Sequence, residues 1–452
     1  MSEADVSQAR PRPPVGATPE ERPRDLIRGA ATGDEAAISY VVWEITLACD
    51  LGCRHCGSRA GKARSDELST EECLDVVRQL QDLGVREVTL IGGEAYLRED
   101  WDVIARAIVD AGMRCGITTG GRNLDAERVA RAEAAGISTI SVSIDGLERT
   151  HDLQRGARGS FRAAVEAAER VSASSMRLAT NTQINRLSMP ELVAMADLLI
   201  ALGSEAWQLQ ITVPMGRAAD RPELLLQPHD LLELFPLLVW IKQNKLQPNG
   251  IRAFPGNNIG YFSHFEELLR YGGAGGTHWA GCGAGTSCLG VEADGKVKGC
   301  PSLPSNEWTG GLTRERSVRE IVEQTDELTH LGARTRDDLW GFCGTCYYAD
   351  VCKAGCTWTS TVLMGRPGNN PYCIHRALEH EKQGVRERLV RVEAAPGDPF
   401  DHGRFETLLE PLPTATEATI LGVPLERVMT LGVDSPGLID EAEGKRRLRI
   451  LR

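Results

Sequence analysis

Three cysteines fall within eight residues, Cys49-Asp-Leu-Gly-Cys53-Arg-His55-Cys56, directly after an apolar run, Tyr40-Val-Val-Trp-Glu-Ile-Thr46. A short loop leaving such a strand can converge three thiolates on one small target. Cubic iron–sulfur clusters usually take four thiolates, so three ligands without a fourth nearby leave one iron with an open position for a further ligand. Zinc is the alternative, but zinc sites close with four ligands in paired Cys-x2-Cys units, which an x3/x2 triplet fits poorly.

Other polar groups follow strand-like runs. Gly92-Gly93-Glu94 comes after Glu87–Ile91. Paired glycines let backbone approach a ligand closely, and a carboxylate suits an ammonium. Ser143-Ile-Asp145-Gly146 ends another run, and Arg155 follows in His151-Asp-Leu-Gln-Arg155-Gly. A guanidinium fork suits a carboxylate, with a plain turn and a solvated arginine as the alternatives. Asn181, Gln183 and Gln210, also near strand ends, read equally as ligand contacts or polar caps.

Eight more cysteines arrive later as Cys282-x5-Cys288-x11-Cys300 and Cys343-x2-Cys346-x5-Cys352-x3-Cys356-x16-Cys373. A turn at Asp294-Gly295 predicts a hairpin that brings Cys288 and Cys300 together. Eight thiolates suffice for two cubic clusters, and two zinc sites are the alternative. Cys73 and Cys115 read as small core residues.

The first triplet, with an aromatic residue (here His55) before its third cysteine, resembles the signature of the radical S-adenosylmethionine (radical SAM) family. That resemblance implies a partial (β/α)6 barrel. It also implies an open iron chelated by the amine and carboxylate of S-adenosylmethionine, one-electron cleavage to a 5′-deoxyadenosyl radical, and hydrogen abstraction from a substrate. Gly92, Gly93 and Glu94 match the motif that meets the methionyl amine, although the family often continues with proline where this chain has Ala95-Tyr96. Ser143 and Asp145 fall where ribose contacts lie, and Arg155 matches the arginine that pairs with the cofactor carboxylate. Gly120 stands where relatives commonly carry asparagine, so no role is carried over there.

The later cysteines, with Gly295-x4-Cys300, are similar to the SPASM extension of that family. By that resemblance one auxiliary cluster takes Cys282, Cys288, Cys300 and Cys356, the other Cys343, Cys346, Cys352 and Cys373, making three 4Fe–4S clusters with the one on Cys49, Cys53 and Cys56. Members with this extension most often modify peptides, so the expected activity is maturation of a ribosomal precursor peptide, with a flavodoxin- or ferredoxin-type electron donor. Sulfatase-maturing members carry aspartate directly after the match to Cys300. Pro301 stands there, which argues against that activity. A small-molecule tailoring enzyme and a non-catalytic electron carrier are the rivals. The residues point to no catalytic base.

The elements that would position these groups alternate. Strand-like runs at Ser39–Thr46, Glu87–Ile91, Arg114–Thr118, Thr139–Ile144, Met176–Thr182 and Trp207–Thr212 are separated by helical patterns, the first opened by the capping box Ser69-Thr-Glu-Glu72. Six βα units predict a parallel sheet with outer helices, closing into a partial barrel whose site lies at the carboxyl ends of its strands. The expected division is a disordered lead-in at 1–37, the barrel at 38–245, a glycine-rich linker at 246–281, the cysteine-rich domain at 282–395 with a charged helix over 374–395, and a tail at 396–452. The lead-in is too short for a folded leader-binding domain, so a separate leader-binding protein or a tail-mediated mode is expected. The basic end, Lys445–Arg452, reads as a solvated terminus.

Net charge of −12 and a pI near 5.4 give no footprint for nucleic acid. The start lacks a signal-peptide layout, and no run of about 18 apolar residues stands out. Thirteen cysteines then argue for metal rather than disulfides in a reducing, cytoplasmic setting.

Overall fold

The computed structural model describes residues 38–270, 279, 281–412, 419–421 and 423–424. The lead-in 1–37, the glycine run 272–276, His278 and the basic end lie outside the described residues.

Six parallel strands, β1 (Tyr40–Glu44), β2 (Glu87–Ile91), β3 (Arg114–Thr119), β4 (Thr139–Ser143), β5 (Arg177–Ile184) and β6 (Ala206–Ile211), pair in sequence order. The helices between them are α1 (Thr70–Leu83), α2 (Trp101–Asp110), α3 (Ala126–Ala135), α4 (Glu148–Arg155), α5 (Ser160–Ser172) and α6 (Leu192–Ala201). Capping explains the start of α1. Ser69 accepts from Glu72 N–H while Glu72 reaches back to Ser69 N–H, and Gly84 ends the helix in a left-handed turn. The strands bury Trp43 and Trp207 fully between sheet and helices, with Trp207 Nε1 donating to Thr182 Oγ1 at 2.8 Å. Cys73 and Cys115 lie in this core.

Three features differ from the sequence expectation. First, the stretch 246–281 is not all linker, because β7 (Arg252–Pro255) adds a seventh parallel strand beside β6. Second, the hairpin of β8 (Cys288–Val291) and β9 (Lys296–Lys298) is continuous with the barrel sheet. β8 pairs in parallel with β1, placing Cys288 opposite Tyr40, and β10 (Thr309–Leu312) extends the sheet further. Third, the charged helix ends at Lys382. Val385–Glu393 and Arg404–Pro411 form an antiparallel pair, β11 and β12, where a helix and tail were expected. Within β11 burial alternates at Glu387 and Leu389, buried, about the exposed Arg388, although the apolar residues of 385–393 do not alternate along the sequence.

The segment Pro222–Asn249 is long and apolar enough to cross a membrane by length and composition. Its most apolar window is 67% buried inside the protein, as in a core helix.

An ion network fastens the hairpin to the barrel. Arg64 meets Glu44 at 3.0 Å, Glu292 at 3.0 Å and Asp294 at 3.1 Å, and the fully buried Lys298 meets Glu292 at 2.7 Å. Each carboxylate leaves water only because a cation replaces its hydration. Replacing Arg64 with leucine leaves the buried Glu44 without a cation and takes one of two cations from Glu292 and from Asp294, which keep Lys298 and Lys296. We expect Arg64→Leu to lower unfolding stability by about 3–5 kcal/mol in denaturant titrations of the metal-loaded protein, and a loss below about 1 kcal/mol would mean that the network contributes no more than a surface pair.

Candidate active site at the carboxyl rim of the barrel

The cysteine loop leaves the carboxyl end of β1 and is pinched at its neck. Cys49 N–H donates to Gly61 O at 3.0 Å, and Gly61 N–H donates to Leu47 O at 3.0 Å. Glu67 holds the approach by accepting from Leu47 N–H at 2.8 Å, Thr46 Oγ1 at 3.2 Å and Arg64 N–H at 2.9 Å. Further along, Arg217 takes the loop's outward carbonyls: Nε donates to Cys53 O at 2.7 Å, both terminal nitrogens to Ala60 O at 3.1 Å, and its backbone N–H to Cys56 O at 2.9 Å. With its backbone satisfied from outside, the loop presents its thiols to the rim.

Those thiols sit in a desolvated setting. Burial pushes Cys49 up to about 12 and Cys53 to about 11, and neighbouring thiol charges push the same way. Arg155 opposes this at Cys53, where NH1 approaches Sγ at 3.7 Å. Thiols crowded in so poor a solvent ionise only when a cation repays the cost, which fits an iron-binding donor set.

Gly92 and Gly93 pass directly beneath. A Cβ on Gly92 would lie 2.3 Å from Thr46 O, and one on Gly93 would lie 2.1 Å from Ala48 O and 2.5 Å from Cys49 Cβ. Glu94 is buried, accepting from Thr119 Oγ1 at 2.5 Å and Gly120 N–H at 2.6 Å. Burial outweighs these donors and raises its carboxyl to about 7. Ligand atoms of Cys49, Asp50 and Glu94 all lie within 4.8 Å of one another, so two carboxylates flank the first thiol. Gly120 now has a reason: a Cβ there would lie 2.5 Å from Leu51 and 2.7 Å from Glu94 Oε1.

Asp145, expected beside a ribose, is engaged by protein groups. It is fully buried, with Oδ2 at 2.6 Å from Arg155 and 3.1 Å from His55 Nε2, and Oδ1 accepting Gln183 N–H at 2.8 Å. Burial opposes ionisation, yet Arg155 and His55 outweigh it and hold this carboxyl well below the usual range. Its Oδ2 thus orients Arg155, whose Nε is buried without a hydrogen-bond partner. Ser143 is buried at the end of β4. Gln183 and Gln210 hydrogen-bond to each other at 3.1 Å, and Asn181 lies opposite Ser143 in the sheet. Reading along the chain missed the His55–Asp145 contact and Arg217. The one available signal for Arg217 was the preceding Gly216, where a Cβ would strike Cys56 O at 2.4 Å.

The later cysteines separate into two neighbourhoods. Burial raises Cys288 and Cys356 to about 12 and raises Cys300 as well. Cys288 is further raised by Cys282, Cys300 by Cys288 and Cys282, and Cys356 by Cys282 and Cys300. In the other set Cys352 is raised by burial and by Cys373, Cys343 and Cys346, while Cys373, up to about 12 through burial, is affected by Cys343 and Cys346. Cys356 thus crosses from its neighbours in the chain to the hairpin group. Tyr261 Oη accepts from Cys356 N–H at 2.8 Å, and Trp358 Nε1 reaches Met215 Sδ at 3.3 Å, tying this region to the barrel.

The radical SAM superfamily model matches residues 43–199. An AdoMet-dependent heme synthase of Methanosarcina barkeri is 31% identical over 355 residues, 74% of this chain and 96% of that protein. The chain belongs to the radical SAM superfamily. As a radical SAM enzyme it uses S-adenosylmethionine and an iron–sulfur cluster. The mycofactocin maturase MftC of Mycobacterium ulcerans is 30% identical over 368 residues, 77% of this chain and 92% of that protein. Streptococcus suis SuiB, solved with its precursor peptide SuiA, shares the fold with a TM-score of 0.57 at 16% identity, over 74% of this chain and 75% of SuiB.

The glycine contacts separate two substitutions within this radical SAM site. Gly93→Ala is expected to weaken S-adenosylmethionine binding by about tenfold or more in equilibrium dialysis, because its Cβ collides with the loop neck. Gly52→Ala, which meets nothing within 4 Å, is expected to bind normally, and equal effects of the two would contradict the assigned contacts.

Proposed function

We propose that this enzyme matures a ribosomally made precursor peptide by removing a hydrogen atom, leaving a crosslink or an oxidised side chain. The chemistry supplied by S-adenosylmethionine and its cluster, when bound at Cys49, Cys53 and Cys56, is a primary carbon radical made by one-electron reduction. The chain's own residues do the positioning. Gly92 and Gly93 would let the backbone approach the cofactor, Glu94 would receive its ammonium, Ser143 and Asp145 would lie towards the ribose, and Arg155, oriented by Asp145, would pair with its carboxylate.

Cys282, Cys288, Cys300 and Cys356 would hold one auxiliary 4Fe–4S cluster, and Cys343, Cys346, Cys352 and Cys373 the other, in the part of the chain that follows β7. Clusters held there would supply an acceptor for the electron left after substrate oxidation. A separate leader-binding protein, a flavodoxin- or ferredoxin-type donor and a cytoplasmic setting complete the reading.

The observation that carries the peptide assignment is the maturase-named relative matched over 92% of its length. The heme-synthase-named relative, matched over 96% of its length, favours a second reading in which the substrate is a small molecule.

Anaerobic co-expression with any short reading frame beside the gene, followed by intact mass of that peptide, separates the two. A mass change with native enzyme and none with Cys53→Ala is expected, whereas an unchanged peptide beside iron-loaded, cofactor-cleaving enzyme would shift the assignment to a small molecule. For the auxiliary sites, Cys356→Ala and Cys352→Ala are each expected to cost about four of about twelve irons. Full iron content in both variants, or zinc in the native protein, would overturn the two-cluster assignment.

A further inference from the structure

The connection between β11 and β12, residues 394–403, is seated on the cysteine loop. Phe400 N–H donates to Gly57 O at 3.2 Å, and Gly216 N–H donates to Asp401 O at 2.7 Å. Arg59, three residues beyond Cys56, donates to Asp401 through Nε at 2.8 Å and NH2 at 3.2 Å, and to Asp220 through NH1 at 2.6 Å and NH2 at 3.0 Å. Asp401 Oδ2 also accepts the backbone N–H groups of Gly397 at 2.5 Å and Asp398 at 3.0 Å. One buried carboxylate therefore closes its own turn and grips the loop that carries the thiols. The grip extends into the auxiliary part, where His402 Nε2 meets Glu307 at 2.8 Å and the Lys298 ammonium lies 3.9 Å over the Phe400 ring.

Backbone conformation marks both sides of this contact as held under tension. Arg59 has φ 51° and Phe400 φ 58°, the left-handed region that costs a non-glycine residue free energy and persists only where surrounding contacts enforce it. On the outer side of the loop two arginines do this work. Arg217 holds the carbonyls of Cys53, Cys56 and Ala60. Arg59 holds the next turn, and bidentate pairing to Asp401 sets its guanidinium plane.

We propose that Asp401 is a positioning residue for S-adenosylmethionine: acting through Arg59, it fixes the half of the loop that carries Cys56 and so sets the geometry in which the cofactor is bound. This rests on the radical SAM site but not on the identity of the substrate. Without the carboxylate, Arg59 keeps only its pair with Asp220, the tie between the Cys56 turn and the 394–403 connection is lost, and the turn relaxes. The thiols still collect iron, but the cofactor meets a displaced site.

The test uses full-length, anaerobically reconstituted enzyme. Asp401→Asn is expected to hold the iron of the parent, to raise the dissociation constant for S-adenosylmethionine by about tenfold, and to diminish the change that the cofactor produces in the electron paramagnetic resonance spectrum of the reduced protein. Asp401→Glu should recover part of both. Glu410→Gln, on the same hairpin but paired only with Arg386 and Arg388 at the surface, should match the parent, which separates the tip contact from a general loosening of the hairpin. Parent-like affinity and spectrum in Asp401→Asn would overturn the proposal. If that variant fails to fold, Arg59→Lys reads the same contact from its other end: weakened cofactor binding with iron retained supports the proposal, and unchanged binding overturns it. Failure of the parent itself to bind the cofactor would instead contradict the radical SAM site.

Discussion

The arrangement depends on the cost of gathering thiols out of water. In each of three places several cysteine side chains lie close enough for their charges to raise one another, in surroundings whose burial already pushes them up. Such groups are stable as buried neutral thiols or as metal-bound thiolates, and little between. The protein answers by satisfying the backbone around the thiols from outside, so that the sulfurs alone are left facing inward. At the first site Arg217 and Glu67 do this, and the glycine pair brings the neighbouring strand end hard against the loop neck.

Joining the auxiliary part to the barrel follows the same logic. Because β8 pairs with β1, the strand that feeds the cysteine loop also orders Cys288. Arg64 and Lys298 make that junction one electrostatic unit, and a shift of the hairpin would leave buried carboxylates unpaired. The first thiol site and the hairpin thiols therefore share one rigid edge.

Much of this was legible along the chain because it is local. The capping box at Ser69, the βα alternation through Thr212, the Asp294-Gly295 turn and the x3/x2 spacing each span a few residues and act through short-range physics. The missed parts are non-local or disguised. Arg252–Pro255 is short, ends in proline and sits before a glycine run, so nothing in its period announces a strand. Val385–Glu393 carries enough Arg and Glu to pass for a charged helix until β12 supplies its partner. The serine-aspartate setting of Asp145 gave no sign of its protein partners, because the histidine and arginine that meet it come from two other segments. Arg59 and Asp401 stand 342 residues apart, and only the closed fold brings them together.

The central claim is that the loop Cys49–Cys56 binds a cluster that reduces S-adenosylmethionine. The direct measurement is chromatographic detection of 5′-deoxyadenosine after dithionite is added to anaerobically reconstituted native enzyme and to Cys53→Ala, each with S-adenosylmethionine. Formation by the native enzyme alone is the predicted result. Absence of 5′-deoxyadenosine from fully iron-loaded native enzyme, or equal amounts from both proteins, would contradict it.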